Sequence, residues 1–343
     1  MPSLLQLRTL LLALVGAGVF WLLALPLPFL FGPMAACLTA ALAGVRMQGA
    51  GQVGVAARTI LGVAVGAAIT PALLAQMPVM ATTLALVPLY VGLIALIGVP
   101  FFHRLWGFDR ATSYYAAMPG GLQDMVLFGT EAGGDTRALS LIHATRVLII
   151  VLAAPVLLVA MYGVTLDQPM GAPARALALH ELALMTAAAL IGWKGGERLG
   201  LFGAAILGPL IVTAVLALSG VITQRPPAEA IIFAQIFIGI SIGSQFSGVT
   251  WHELARDVAA GAVFALILAV LAAGFTLLAR WLTDAPPVEA FLSFAPGGQA
   301  EMAVLALVIG ADLGFVVIHH VLRLVLVITG APLMGAWVLR KKG

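Results

Sequence analysis

A run of polar and helix-breaking residues written twice constrains this chain more than any other feature. Met118–Pro155 reads M-P-G-G-L-Q-D-M-V, an apolar run to Glu131, then G-G-D and a long stretch carrying His143 and Arg146. Ala295–Pro332 reads A-P-G-G-Q-A-E-M-A, an apolar run, then G-A-D and a stretch carrying His320 and Arg323. Pro119 and Pro296, Met125 and Met302, Asp135 and Asp312, His143 and His320, and Arg146 and Arg323 all stand 177 positions apart. The matching residues are mostly the rare polar ones, so chance does not produce this in an apolar chain. The chain is an internal duplication, and its best-kept part is a Pro-Gly-Gly break followed by polar groups.

Composition decides the medium. Of the 343 residues, 62% are hydrophobic and 9% charged, against about 25% charged in a soluble globule. The mean hydropathy is +1.12. At about 20 apolar residues per crossing, the length predicts ten to twelve membrane helices in two halves. Apolar runs fall at 4–25, 29–45, 53–74, 78–102 and 137–162, and again at 177–193, 201–219, 229–248, 257–282 and 313–339. The first repeat is read as 1–162 and the second as 177–343. A turn-rich linker at 163–176 joins them. Within the first run, Leu10–Leu25 follows Arg8 with no clean small-residue cleavage site after it, so it reads as a retained helix rather than a signal peptide.

The fold class expected is therefore an all-α polytopic membrane protein of two duplicated halves, each with a Pro-Gly-Gly broken helix. Lys and Arg positions fit an inverted and a parallel arrangement of the halves almost equally well. A helix broken at mid-membrane favours inverted repeats, since that device recurs in such transporters. Gly62-x-x-x-Gly66 and Gly239-x-x-x-Gly243 present small-residue faces on which helices can pack backbone to backbone.

The polar residues carry the functional reading. Pro119-Gly120-Gly121 and Pro296-Gly297-Gly298 interrupt a helix, because proline removes a donor and each glycine costs about 1 kcal/mol relative to alanine. Such a break is tolerated only where it is buried in protein or lines a water-filled cavity. The N–H groups after it form the positive end of a half-helix, suited to an anion. Asp124 and Glu301 follow each break at equivalent places, beside Gln123 and Gln299. A carboxylate there either binds a cation or proton or caps the first turn of the half-helix. Asp135 and Asp312 read as N-caps of the next helices.

His143 with Arg146 and His320 with Arg323 are spaced i,i+3 and share a helix face. An arginine inside a membrane needs a partner: Asp124 and Glu301, a substrate carboxylate, or the backbone carbonyls of the break. The last of these is the favoured role. Ser244 and Gln245, with Ser241 and Ser247, add a polar stripe to the second half where the first has alanines and Thr70. Such groups coordinate an ion or bond across helices.

Enzyme chemistry has no visible residues. Gly239-Ile240-Ser241-Ile242-Gly243 matches the nucleophile-elbow pattern but lies in an apolar run without its strand-turn-helix setting. His252-Glu253 lacks the second histidine of a zincin helix. The net charge of +3 is dispersed, so nucleic-acid binding is not expected. The single cysteine, Cys37, provides no disulfide or thiolate metal site. No cofactor or metal is expected.

The two P-G-G breaks, each near a carboxylate and followed by G-x-D and an arginine helix, resemble the duplicated AbrB-type membrane proteins of Gram-negative bacteria. The resemblance covers nearly the whole chain and is most specific over 117–155 and 294–332. That family carries a gene-regulation name and an ammonia monooxygenase label. The break is also similar to that of the bile-acid/sodium symporter group, in which two broken helices cross at the binding site. That similarity implies that Pro119–Asp124 and Pro296–Glu301 are the crossing breaks. The polar sodium-binding run of that group is replaced here by Leu122, Gln123, Asp124 and Met125, which leaves Na+ and H+ both open as the coupling ion.

The expected function is a secondary active transporter of a small organic anion in the bacterial inner membrane, working by movement of the broken-helix bundle against a scaffold. Its expected partners are the substrate, the surrounding lipid and a second copy of the chain as a homodimer. The alternative is a membrane-embedded ligand sensor regulating gene expression without flux, against which stands a tail ending four residues after Leu339. A copper monooxygenase subunit ranks below both, because the six histidines are scattered.

Overall fold

The computed structural model describes residues 3–201 and 203–340. Its elements follow the duplication helix by helix. The first repeat gives α1 (Leu4–Leu22), α2 (Pro28–Leu42), α3 (Gly51–Gly66) and α4 (Pro71–Pro100), the last prolonged by a π-turn at Phe101–Leu105. Two short helices, α5 (Arg110–Ala117) and α6 (Leu122–Glu131), precede the long α7 (Thr136–Tyr162). The second repeat gives α8 (Leu179–Arg198), α9 (Ala204–Leu218) and α10 (Ala228–Ser244). There follow α11 (Trp251–Glu253), a π-turn at Leu254–Val258, α12 (Ala259–Leu282), α13 (Pro287–Phe294), α14 (Gln299–Ile309) and α15 (Leu313–Arg340). No strand occurs among the described residues.

Five helical stretches are long and apolar enough to cross a membrane: Leu4–Leu22, Met80–Leu105, Thr136–Tyr162, Trp251–Leu282 and Leu313–Gly335. A sixth is the pair Gly51–Gly66 and Pro71–Pro78, bent by 67°. The chain is therefore a multi-pass, all-helical membrane protein. The ten to twelve full crossings expected from the apolar runs are not reached among the described residues. Apolar runs do not mark where helices stop: Pro28–Leu42, Ala204–Leu218, Ala228–Ser244 and Gln299–Ile309 are only 10–17 residues long. At 1.5 Å per residue, 15 residues span about 22 Å, short of a hydrocarbon core of about 30 Å. Of the basic tail Arg340-Lys341-Lys342, Lys341 and Lys342 lie outside the described residues.

The compact units do not coincide with the sequence repeats. One unit takes the chain through Gln76, Val164–Val249 and Ala303–Gly314; the other takes Met77–Gly163, Thr250–Met302 and the chain from Phe315 on. Each therefore mixes the two repeats.

In the first unit the repeats clasp each other through the glycine faces. A Cβ on Gly62 of α3 would meet the Ile206 carbonyl and sit 3.0 Å from the Pro209 ring of α9. A Cβ on Gly239 of α10 would meet the Leu30 carbonyl and sit 3.0 Å from the Pro33 ring of α2. Gly66 and Gly243 continue the two seams against Thr213 and Cys37. The expectation for these small-residue faces holds, and the contacts are reciprocal: α3 packs on α9 while its repeat partner α10 packs on α2. Reciprocal contacts of this kind are the mark of a local two-fold relation.

The second unit holds both breaks and an aromatic core. Phe101 stacks on Phe264 at 5.5 Å, and Tyr90 packs against Phe275 and Phe294 at 4.9 and 5.6 Å. Reciprocity appears here too. The Tyr114 hydroxyl of α5 donates to the Ala331 carbonyl of α15 at 2.9 Å. Its repeat counterpart Phe291, on α13, packs edge-on against Tyr162 of α7.

Candidate functional site

Each break is four residues long. Helix α5 ends at Ala117 and α6 starts at Leu122; α13 ends at Phe294 and α14 starts at Gln299. Pro119, Gly120, Pro296 and Gly297 are all buried. Gly121 caps α6 with φ −64° and ψ 144°, and none of the four break glycines has a positive φ. What glycine provides here is room. A Cβ on Gly120 would lie 2.7 Å from Met125 Cε, and one on Gly297 would lie 2.7 Å from Met302 Cε. A Cβ on Gly121 or Gly298 would run into the carboxylate of Asp124 or Glu301. Both acids therefore fold back onto the start of their half-helix, where a carboxylate complements the exposed N–H groups and the positive helix end.

The two arginines brace the breaks in identical fashion. Arg146 donates from Nη1 to the Met118 carbonyl at 3.0 Å and from Nη2 to the Gly120 carbonyl at 2.9 Å. Arg323 donates to Ala295 at 3.0 Å and Gly297 at 2.8 Å. One turn earlier, His143 Nε2 reaches the Tyr115 carbonyl at 3.1 Å and His320 Nε2 the Leu292 carbonyl at 2.9 Å. A carbonyl only accepts, so Nε2 carries the proton in both rings. These carbonyls belong to a helix end and a break, where the helical ladder of donors stops; Tyr115 also accepts from the Met118 amide at 3.3 Å, and the planar guanidinium fork reaches two of the break carbonyls at once. The bracing role favoured from sequence is the one the structure holds.

Both arginines are nearly inaccessible, at 2% and 6% exposure, and both sit in the same unit, close enough to sense each other's charge. Glu301 is an electrostatic neighbour of Arg146. Several polar atoms around the breaks are buried without a hydrogen-bond partner: Arg146 Nε, His143 Nδ1, His320 Nδ1 and Gln299 Nε2. The centre thus offers two cations, two half-helix N-termini, and donors and acceptors with capacity left.

The remaining expected residues are distributed unevenly. Gln123 is exposed on α6. Ser244 and Gln245 lie in the other compact unit, at the end of α10, where Ser244 Oγ donates to the Ser241 carbonyl at 3.4 Å. Asp135 caps α7, accepting from the amides of Arg137 and Ala138 at 2.9 and 3.0 Å. No group of three or more His, Cys, Asp or Glu side chains is placed to hold a metal among the described residues.

Sequence reasoning missed two contacts. The Tyr90 hydroxyl donates to the Phe294 carbonyl at 2.8 Å, bracing the second break from α4. His319 joins Thr83 at 2.9 Å through Nε2 and the Phe315 carbonyl at 2.8 Å through Nδ1. Only the rarity of Tyr and His in an apolar chain signals them, since their repeat counterparts Ile267 and Ile142 are apolar.

Comparisons with known proteins agree with this picture. The family model described as "Transition state regulatory protein AbrB" matches residues 29–339. The chain is 25% identical over 323 residues to "Putative regulator AbrB" of Escherichia coli (strain K12), covering 92% of this chain and 90% of that protein. It is 29% identical over 249 residues to "Uncharacterized protein YhjN" of Bacillus subtilis (strain 168). That match covers 66% of this chain and 64% of YhjN, so the chain spans just under two thirds of that relative's length. With a family match running through both repeats and both breaks, the chain belongs to the AbrB family.

Proposed function

We propose that this protein is a secondary transporter of a small organic anion, seated in a bacterial inner membrane and built from inverted repeats. The observation that carries the reading is the pair of buried arginines. Arg146 and Arg323 hold carbonyl oxygens with their Nη atoms, and a carbonyl dipole does not cancel a full charge. Two buried cations together are costly unless an anion joins them. The N-termini of α6 and α14, 10 and 11 residues long, add backbone donors to the same centre. Asp124 and Glu301, folded onto those N-termini, are the groups by which H+ or Na+ would be coupled.

The test is thermal stability of the detergent-purified protein against a panel of small mono- and dicarboxylates, in sodium or potassium, at acid and neutral pH. A ligand at a hundred times its dissociation constant adds about 2.7 kcal/mol. The reading requires a hit that weakens in Asp124→Asn or Glu301→Gln and that crosses the membrane of proteoliposomes. A flat response across the panel would overturn it.

A second reading, a ligand sensor without flux, is favoured by the names of the family and of the Escherichia coli relative, both of which say "regulator" or "regulatory". Binding without uptake into proteoliposomes would select it.

A further inference from the structure

Away from the breaks, the π-turn Leu254–Val258 that leads into α12 carries a carboxylate with no architectural reason to be there. Asp257 is 5% exposed and its Oδ1 meets no donor. Glu181, equally buried, also has one orphaned oxygen, Oε2, but its Oε1 accepts from both the amide and the hydroxyl of Thr223, at 3.1 and 2.7 Å. A buried carboxylate without such donors is expensive as an anion, and π-turns inside helices cluster at functional sites.

The duplication supplies an internal control. Met80 stands at the same repeat position, 177 residues earlier, and is 2% exposed. The fold therefore accepts an apolar side chain at this place in the repeat. An acid there in one repeat alone is a specific addition.

The charges facing Asp257 come from three directions. Asp135 stands at the start of α7, His252 and Glu253 on α11, and Arg256 in its own turn; Arg137 of α7 is the partner of Glu253. Arg256 and His252 bring positive charge toward Asp257, but no donor meets its Oδ1. Arg137 pairs with Glu253 at 2.8 Å. Arg256 lies 4.3 Å over the Phe108 ring and donates to the Gly107 carbonyl at 3.5 Å, and His252 is exposed. Asp135 and Glu253 bring negative charge toward Asp257.

We propose that Asp257 is a proton-binding site: its carboxyl O–H persists at neutral pH and breaks, releasing H+ to water, when this turn opens to solvent. Its use in coupling rests on the transporter reading; its protonation does not.

Infrared difference spectroscopy on the purified chain carrying 13C-carboxyl aspartate tests this directly. The expected result is a carboxylic-acid C=O band at neutral pH, shifted by the label. It should vanish in Asp257→Asn and survive in Asp124→Asn and Glu301→Gln. Where Asp257→Asn fails to assemble, Asp257→Glu decides: the band must stay but lose its aspartate isotope shift. Absence of the band at neutral pH in the unmutated protein, or its persistence unchanged in Asp257→Asn, overturns the site. A band at Asp257 with no anion binding or flux would sink the transporter reading instead, and leave the proton site standing.

Discussion

Arg146 and Arg323 stand at the same position of two repeats and make the same two hydrogen bonds, each to the carbonyls flanking the proline of its break: Met118 and Gly120 around Pro119, Ala295 and Gly297 around Pro296. The lengths agree to within 0.1 Å. The sequence between each arginine and its break has diverged, yet the brace has not.

Replacing either arginine by lysine should therefore destabilise the protein while keeping its charge. One ammonium cannot reproduce the fork, and a buried carbonyl left unpaired costs about 1–3 kcal/mol. Thermal unfolding of Arg146→Lys and Arg323→Lys in detergent checks this. Unchanged melting in both would remove the bracing role.

The glycine seams of the first unit make a graded prediction. Gly239→Ala must push the new Cβ against the Leu30 carbonyl and Pro33, an overpacking change of about 1–3 kcal/mol. Gly18, Gly92 and Gly274 have open space where a Cβ would go. Alanine there should be neutral or stabilising by up to about 1 kcal/mol, from helix propensity. Equal melting shifts in the two groups would show that the seams are not packed as described.

His319 and Thr83 invite a double-mutant cycle. Their bond at 2.9 Å is buried and links α15 to α4. The coupling between His319→Phe and Thr83→Val should come to about 0.5–1.5 kcal/mol, the net worth of one buried hydrogen bond. Strict additivity of the two substitutions would count against the bond.

Gly121→Ala and Gly298→Ala address the carboxylates without removing them. Each added methyl must displace Asp124 or Glu301 from the half-helix N-terminus. Any stabilisation by an anion hit from the panel should fall in these variants and remain in Gly274→Ala. Full ligand stabilisation in both break variants would separate the carboxylates from binding.

Sequence alone determined the medium, the duplication, the position of both breaks and the residues that serve them. Those features are local or repetitive: hydropathy needs only composition, Pro-Gly-Gly interrupts a helix wherever it stands, and an i,i+3 pair shares a face on any helix. The caps at Asp135 and the small faces at Gly62 and Gly239 were legible for the same reason. What the arginines hold was narrowed from sequence to a few partners, and only the fold chose the carbonyls. Helix lengths needed the structure as well, because an apolar run continues through a turn and so overcounted the crossings. Nothing in the order of residues says that α3 packs on α9 and α10 on α2, that Ser244 and Gln245 fall in the other unit from the breaks, or that Tyr90 reaches Phe294. Such contacts join residues 144 to 209 positions apart, and packing, not propensity, selects them. Asp257 was hidden for that reason: it stands at the edge of an apolar run, and only the packing around its turn makes it a buried acid.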